Sequence, residues 1–172
     1  MNETESNAGI TRRRVMKAAA AAALGSGVLL RGAEKYTGPL PPKKDVPYLL
    51  HADNLVETEV ANASQTSNKN DVVFSVSGET SPARTPLAEP IFIFAADRLT
   101  PESLGLYQFD VTGGKRQITI GRKKGKGPRV LHTSVRNLGP GLFRIEAAEY
   151  LENGEYSLSP EGENVAFCFT VY

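Results

Sequence analysis

From Val165 to Tyr172 the chain alternates. Val165, Phe167, Phe169 and Val171 fall on one side, and Ala166, Cys168 and Thr170 on the other. Side chains of an extended backbone point to opposite faces with a period of two, so this run reads as a strand that turns its Val/Phe face into a core. A helix would instead repeat its apolar positions every three to four residues. The same composition recurs upstream in Val72–Val76, Leu106–Val111, Arg116–Ile120, Leu142–Ala147 and Tyr156–Leu158, and Arg129–Leu138 alternates as well. Ile91-Phe92-Ile93-Phe94 is apolar on both faces and belongs inside a sheet. Gly113-Gly114, set between two β-rich runs, predicts a tight hairpin.

The connections are read the same way. Leu49–His51 and Leu55–Val60 form one strand or two joined strands. The polar stretch Ala61–Asn70 predicts a mobile loop, and Gly78–Pro90, with Pro82, Pro86 and Pro90, an irregular crossover. Thr100-Pro101-Glu102 predicts one short helical turn capped by Thr100. About seven to nine short strands with Gly/Pro turns and almost no helical pattern argue for an all-β sandwich or barrel.

Leu151-Glu152-Asn153-Gly154-Glu155-Tyr156 resembles the tyrosine corner of Greek-key sandwiches, commonly Leu-x-Pro-Gly-x-Tyr, with Asn153 at the usual Pro position. The resemblance implies an immunoglobulin-like β-sandwich. It also implies that the Tyr156 hydroxyl bonds an upstream backbone group, with Leu151 buried and Gly154 relieving the bend.

Thr11-Arg12-Arg13-Arg14-Val15-Met16-Lys17 precedes a mild apolar run, Ala18–Leu30. A charged head, a short apolar segment and a polar spacer form the pattern of an export signal. The motif resembles the twin-arginine signals read by a translocase that exports folded proteins, with Arg12 and Arg13 as the paired arginines. The resemblance implies the twin-arginine export machinery as a partner and a periplasmic or secreted destination. The cleavage pattern is poor, because Arg31 stands where a small residue is wanted, so an uncleaved N-terminal anchor stays open. The apolar run spans ~20 Å as a helix against ~30 Å of hydrocarbon, so membrane contact is expected only in transit.

These boundaries divide the chain into an export signal (1–33), a Pro-rich tether (34–47) and a β-sandwich domain (48–172). Of 20 Lys and Arg, five (Arg12, Arg13, Arg14, Lys17, Arg31) fall in the first 33 residues, and of 19 Asp and Glu, two (Glu3, Glu5) do. The remaining 15 basic and 17 acidic residues give no overall charge that argues for nucleic acid. Cys168 is the single cysteine and cannot form an internal disulfide, which suits folding in a reducing cytosol before export.

Lys115–Arg129 concentrates basic residues without an acid. Within it Arg122, Lys123, Lys124 and Lys126 are the candidate contact for an envelope protein or an anionic glycan or lipid headgroup. The plainer reading is a solvated loop, and the residues leave both open. Six acids and no base follow Ile145, so the two charged regions face each other within one molecule or favour association between molecules.

Catalytic sets are thin. His132 and Ser134 have same-face strand spacing, which suggests a hydrolase only if an acid orients the histidine. Asp53, Glu57 and Glu59 are too few oxygen donors for a Ca²⁺ site. Neither catalytic residues, nor a cofactor, nor a metal are assigned. The expectation is an exported, non-enzymatic binding or structural module of a bacterial cell envelope. The alternatives are an accessory subunit exported with a cofactor-bearing partner, and a weak hydrolase.

Overall fold

The computed structural model describes residues 36–67, 69, 71–121 and 127–172. All lie in the unit Glu34–Tyr172. The export motif with Arg12 and Arg13, and the loop residues Arg122, Lys123, Lys124 and Lys126, lie outside the described residues.

Fourteen strands occur among the described residues: β1 (Pro47–His51), β2 (Asn54–Glu57), β3 (Glu59–Asn62), β4 (Ser64–Ser67), β5 (Asp71–Ser77), β6 (Arg84–Thr85), β7 (Ile91–Ala95), β8 (Leu104–Gln108), β9 (Asp110–Thr112), β10 (Lys115–Gly121), β11 (Thr133–Gly139), β12 (Leu142–Ala147), β13 (Gly154–Pro160) and β14 (Val165–Val171). The first sheet has the order β11-β12-β7-β1-β2, the middle sheet β3-β14-β13-β8, and the outer sheet β4-β5-β10-β9. β6 pairs in parallel with the end of β14. Every other strand pair is antiparallel.

Setting aside β2–β6 and β9–β10 leaves β1-β7-β12-β11 facing β8-β13-β14. That is the A-B-E-D against C-F-G connectivity of the immunoglobulin Greek key. The all-β sandwich expected from the alternating strands is therefore the architecture found. The extra strands come from two insertions, one following β1 and one following β8. β4 and β5 from the first and β9 and β10 from the second build the outer sheet, while β2 and β3 extend the other two.

The layers are tied by apolar residues on the two faces of β14. Phe167, Phe169 and Val171 pack with Phe92 and Phe94 of β7, Ile145 of β12, and Tyr156 and Leu158 of β13. Phe169 meets Phe92 edge-on at 5.1 Å and stacks on Tyr156 at 5.6 Å. Each such buried ring stabilises the fold by about 2 kcal/mol. The opposite face of β14, Ala166 and Cys168, packs with Val76 and Phe109, with Ile118 alongside. The middle sheet is thus covered on both sides.

Two residues mark where the chain changes sheets. The Thr58 backbone N–H and hydroxyl both donate to the Pro47 carbonyl, at 3.3 and 2.8 Å, and end β2 before β3 joins the middle sheet. Leu55–Val60 is therefore two strands in two sheets. The Phe109 N–H donates to the Glu155 carbonyl at 2.8 Å, which ends β8 and sends β9 into the outer sheet.

Several local expectations change. Ala61–Asn70 is not wholly a loop, because Ser64–Ser67 pairs with β5 in register from Ser64↔Ser75 to Ser67↔Val72. All four residues are exposed, so backbone hydrogen bonds rather than burial hold this edge. The turn at Pro101–Ser103 is 3-10, and Thr100 makes no side-chain cap; the Ser103 hydroxyl donates to the Thr100 carbonyl instead. In the hairpin, Gly113 (φ 61°) and Gly114 (φ 75°) both occupy the left-handed region, as a tight turn between twisted strands requires.

The end of the Pro-rich segment is bound to the sandwich. Asp45 is buried, and its carboxylate accepts the N–H groups of Asp97, Arg98 and Leu99. Lys44 pairs with Asp97 at 2.9 Å, and Lys43 with Glu57 at 2.7 Å.

Candidate functional site

The interface between the middle and outer sheets holds both a buried ion cluster and an open cleft. In β10, Arg116, Ile118 and Ile120 share one face. Directly opposite in β5 stand Val76, Phe74 and Val72. This face turns toward the middle sheet.

At one end of it, Arg116 is only 1 % exposed. Its guanidinium donates to both Glu59 oxygens, at 2.7 and 2.8 Å, and to the carbonyls of Ser77 (3.0 Å) and Gly78 (3.2 Å). Four of its five N–H donors are thereby engaged. Glu155 lies 3.9 Å from the same guanidinium and accepts the Ser81 N–H and the Thr170 hydroxyl. Glu59 is on β3, Glu155 on β13 and Arg116 on β10, so one fork joins outer sheet to middle sheet. Burial works against the Glu59 charge, but hydrogen bonds from Arg116 and Ser81 together with the Arg116 charge outweigh it and hold the carboxyl below the usual range. Cys168 beneath the cluster is pushed up to about 12 by burial, which makes it an inert thiol.

Arg116, which the sequence places in the basic stretch Lys115–Arg129, is thus a buried ion-pair partner and not a solvated cation. The alternation Arg116-x-Ile118-x-Ile120 was the available signal, since an arginine on an inward face needs a buried acid. The acids came from Glu59, 57 residues away, and Glu155, neither adjacent in sequence. Glu57, weighed with Glu59 as a metal ligand, instead accepts from Lys43 and Tyr48. The two carboxylates serve different sheets. Among the described residues no group of three or more His, Cys, Asp or Glu is placed to hold a metal ion.

The other end of the interface stays open. A half-open cleft of about 210 Å³ lies between Phe74, Ile118 and Ile120 of the outer sheet and Tyr107, Phe109 and Ala166 of the middle layer. Phe109 is common to both features, because the Arg116 guanidinium carbon sits 6.0 Å from its ring centre. The Tyr107 ring folds back over Gly105, where a Cβ would stand 2.7 Å from it. Burial raises the Tyr107 phenol, and the Glu161 charge adds to the effect. The rim is the turn after β13, with exposed Glu161 and Glu163. That turn is tied at both ends: Glu161 N–H donates to Ser103 O at 3.1 Å, and Ala63 N–H to Asn164 O at 2.7 Å.

The remaining sequence candidates are dispersed. The Tyr156 hydroxyl donates to the Glu152 carbonyl at 2.8 Å, and Leu151 is buried. Gly154 does not have the positive φ that a bend-relieving glycine would show. It begins β13, and a Cβ there would stand 3.3 Å from the Gln108 side chain, so close packing explains the missing side chain. His132 and Ser134 are both exposed at the β11 edge, and the His132 N–H donates to Glu149. Glu149 also pairs with Arg129, so part of the acidic C-terminal region meets basic residues within one molecule.

Fold and site define a class: an immunoglobulin-like sandwich whose C-F-G sheet is roofed by a sheet of its own insertions, with an apolar cleft beneath the roof. The chain matches no protein-family model, no curated protein and no solved structure.

Proposed function

We propose that this chain is an exported, non-enzymatic binding module of a bacterial cell envelope, and that the cleft under the outer sheet is its ligand site. The observation that carries the binding reading is the cleft itself. It is concave, mostly apolar and bounded by a few polar groups, as small-molecule sites are. Its walls come from two sheets fixed to each other by the Arg116 cluster, so the site is preorganised. Export is supported by Thr11-Arg12-Arg13 with Lys17, and by a lone buried cysteine that needs no oxidising compartment.

Two measurements test the reading. Small aromatic fragments should shift the backbone amide resonances of Phe109, Ile118 and Ala166, and Ala63→Trp, which fills the cleft from its wall, should abolish those shifts. Unmoved resonances for every fragment would remove the binding assignment. Cell fractionation should place the protein outside the cytoplasm, and Arg12→Lys with Arg13→Lys should retain it inside. An unchanged distribution would remove the export assignment.

A further inference from the structure

The charged groups among the described residues of the cleft carry one sign. Among the residues that line it, Glu161 and Glu163 are the charged side chains, and both are carboxylates. The walls add three aromatic rings, Phe74, Tyr107 and Phe109. Aromatic faces attract cations through the ring quadrupole, and a carboxylate at the mouth of an apolar slot favours the same sign. Anionic ligands meet the opposite: two like charges at the entrance and no cation among the described lining residues to offset them.

We infer that the cleft selects an organic cation, an ammonium group carried on a compact apolar or aromatic body. This rests on the reading of the cleft as a ligand site and adds the charge of the ligand to it. A cavity of ~150 Å³ accommodates benzene, so about 210 Å³ takes roughly eight non-hydrogen atoms before the ligand reaches the open side. The apolar part sits between Ile118 and Phe109, and the ammonium lies toward Tyr107 and the Glu161–Glu163 turn. Glu161 already acts on Tyr107 electrostatically, which places its charge at that end of the cleft. The carboxylates are exposed, so their individual effects are small, and the aromatic walls supply most of the selectivity.

Three probes of similar size separate the contributions: phenyltrimethylammonium, its neutral isostere tert-butylbenzene, and phenylacetate. Each is titrated into the full chain while the Phe109, Ile118 and Ala166 amide resonances are followed. Phenyltrimethylammonium is expected to bind roughly tenfold more tightly than tert-butylbenzene, with phenylacetate weakest. The double variant E161Q/E163Q, altered only at exposed positions, should reduce the cation's advantage and leave tert-butylbenzene unchanged. Equal affinity for the cation and its neutral isostere would overturn the inference while leaving the cleft a binding site. Failure of all three probes would overturn the inference and the binding reading together. Preferential binding of phenylacetate would reverse the assigned charge.

Discussion

Arg116 of the outer sheet holds Glu59 of the middle sheet by two parallel hydrogen bonds, 2.7 and 2.8 Å long, in a setting where the arginine is almost wholly buried. A buried charge of this kind is tolerable only while its partners remain. Arg116→Met leaves Glu155 buried beside an apolar side chain, and should lower stability by about 3–5 kcal/mol in urea unfolding. The triple replacement Arg116→Met, Glu59→Gln, Glu155→Gln should be less destabilised than Arg116→Met alone, because no unpaired charge remains. A single variant as stable as the parent would show that the fork does not join the sheets.

The hydroxyl of Tyr156 donates to the Glu152 carbonyl. Tyr156→Phe keeps the ring stacked on Phe169 and removes only this bond. The expected loss is about 1 kcal/mol, read as a lower urea midpoint at unchanged slope. An unchanged midpoint would mean that the corner is held by packing alone.

Asp45 and Glu59 both titrate below the usual carboxylate range. Burial opposes ionisation in each, and is outweighed by three backbone N–H donors at Asp45 and by Arg116 and Ser81 at Glu59. The unfolded chain therefore binds more protons in acid. The stability these carboxylates provide is complete above their unfolded values of about 4, and is lost as pH falls through the lower folded values. Asp45→Asn should be destabilised at pH 7, and its deficit relative to the parent should shrink by pH 3. A deficit that stays constant across that window would show that the charge of Asp45 contributes nothing.

Cys168 is fully buried, and its thiol is pushed up to about 12 by that burial. A thiol-specific reagent at pH 8 should modify the native chain far more slowly than the urea-unfolded chain, because only the exposed thiolate reacts. Similar rates in both conditions would show that the interface between the middle and outer sheets opens freely.

Much of the sandwich was legible because its signals are local. The Val165–Val171 alternation, the two-sided apolar run Ile91–Phe94 and the paired glycines each report their own strand or turn. The strands β5, β9 and β10 were legible in the same way, but their assembly with β4 into a separate outer sheet was not. Ser64–Ser67 has no apolar pattern and is a strand only because β5 lies beside it. The breaks at Thr58 and Phe109 depend on hydrogen bonds to Pro47 and Glu155, which no window around either residue contains. The cleft shares this difficulty. Its walls come from residues far apart in the chain, such as Phe74, Ile118 and Ala166.

The roof joins residues far apart along the chain: the Arg116 side chain bonds Gly78 across 38 positions. Closing loops of that size costs chain entropy before the seven-residue β5–β10 ladder can repay it. The immunoglobulin core closes loops of at least that size, Leu49 against Phe92 and Gln108 against Tyr156, so both layers meet the same entropic cost. What distinguishes the roof is its buried anchor: among the described residues, the outer layer's charged hold on the middle sheet is concentrated at the single Arg116–Glu59 fork.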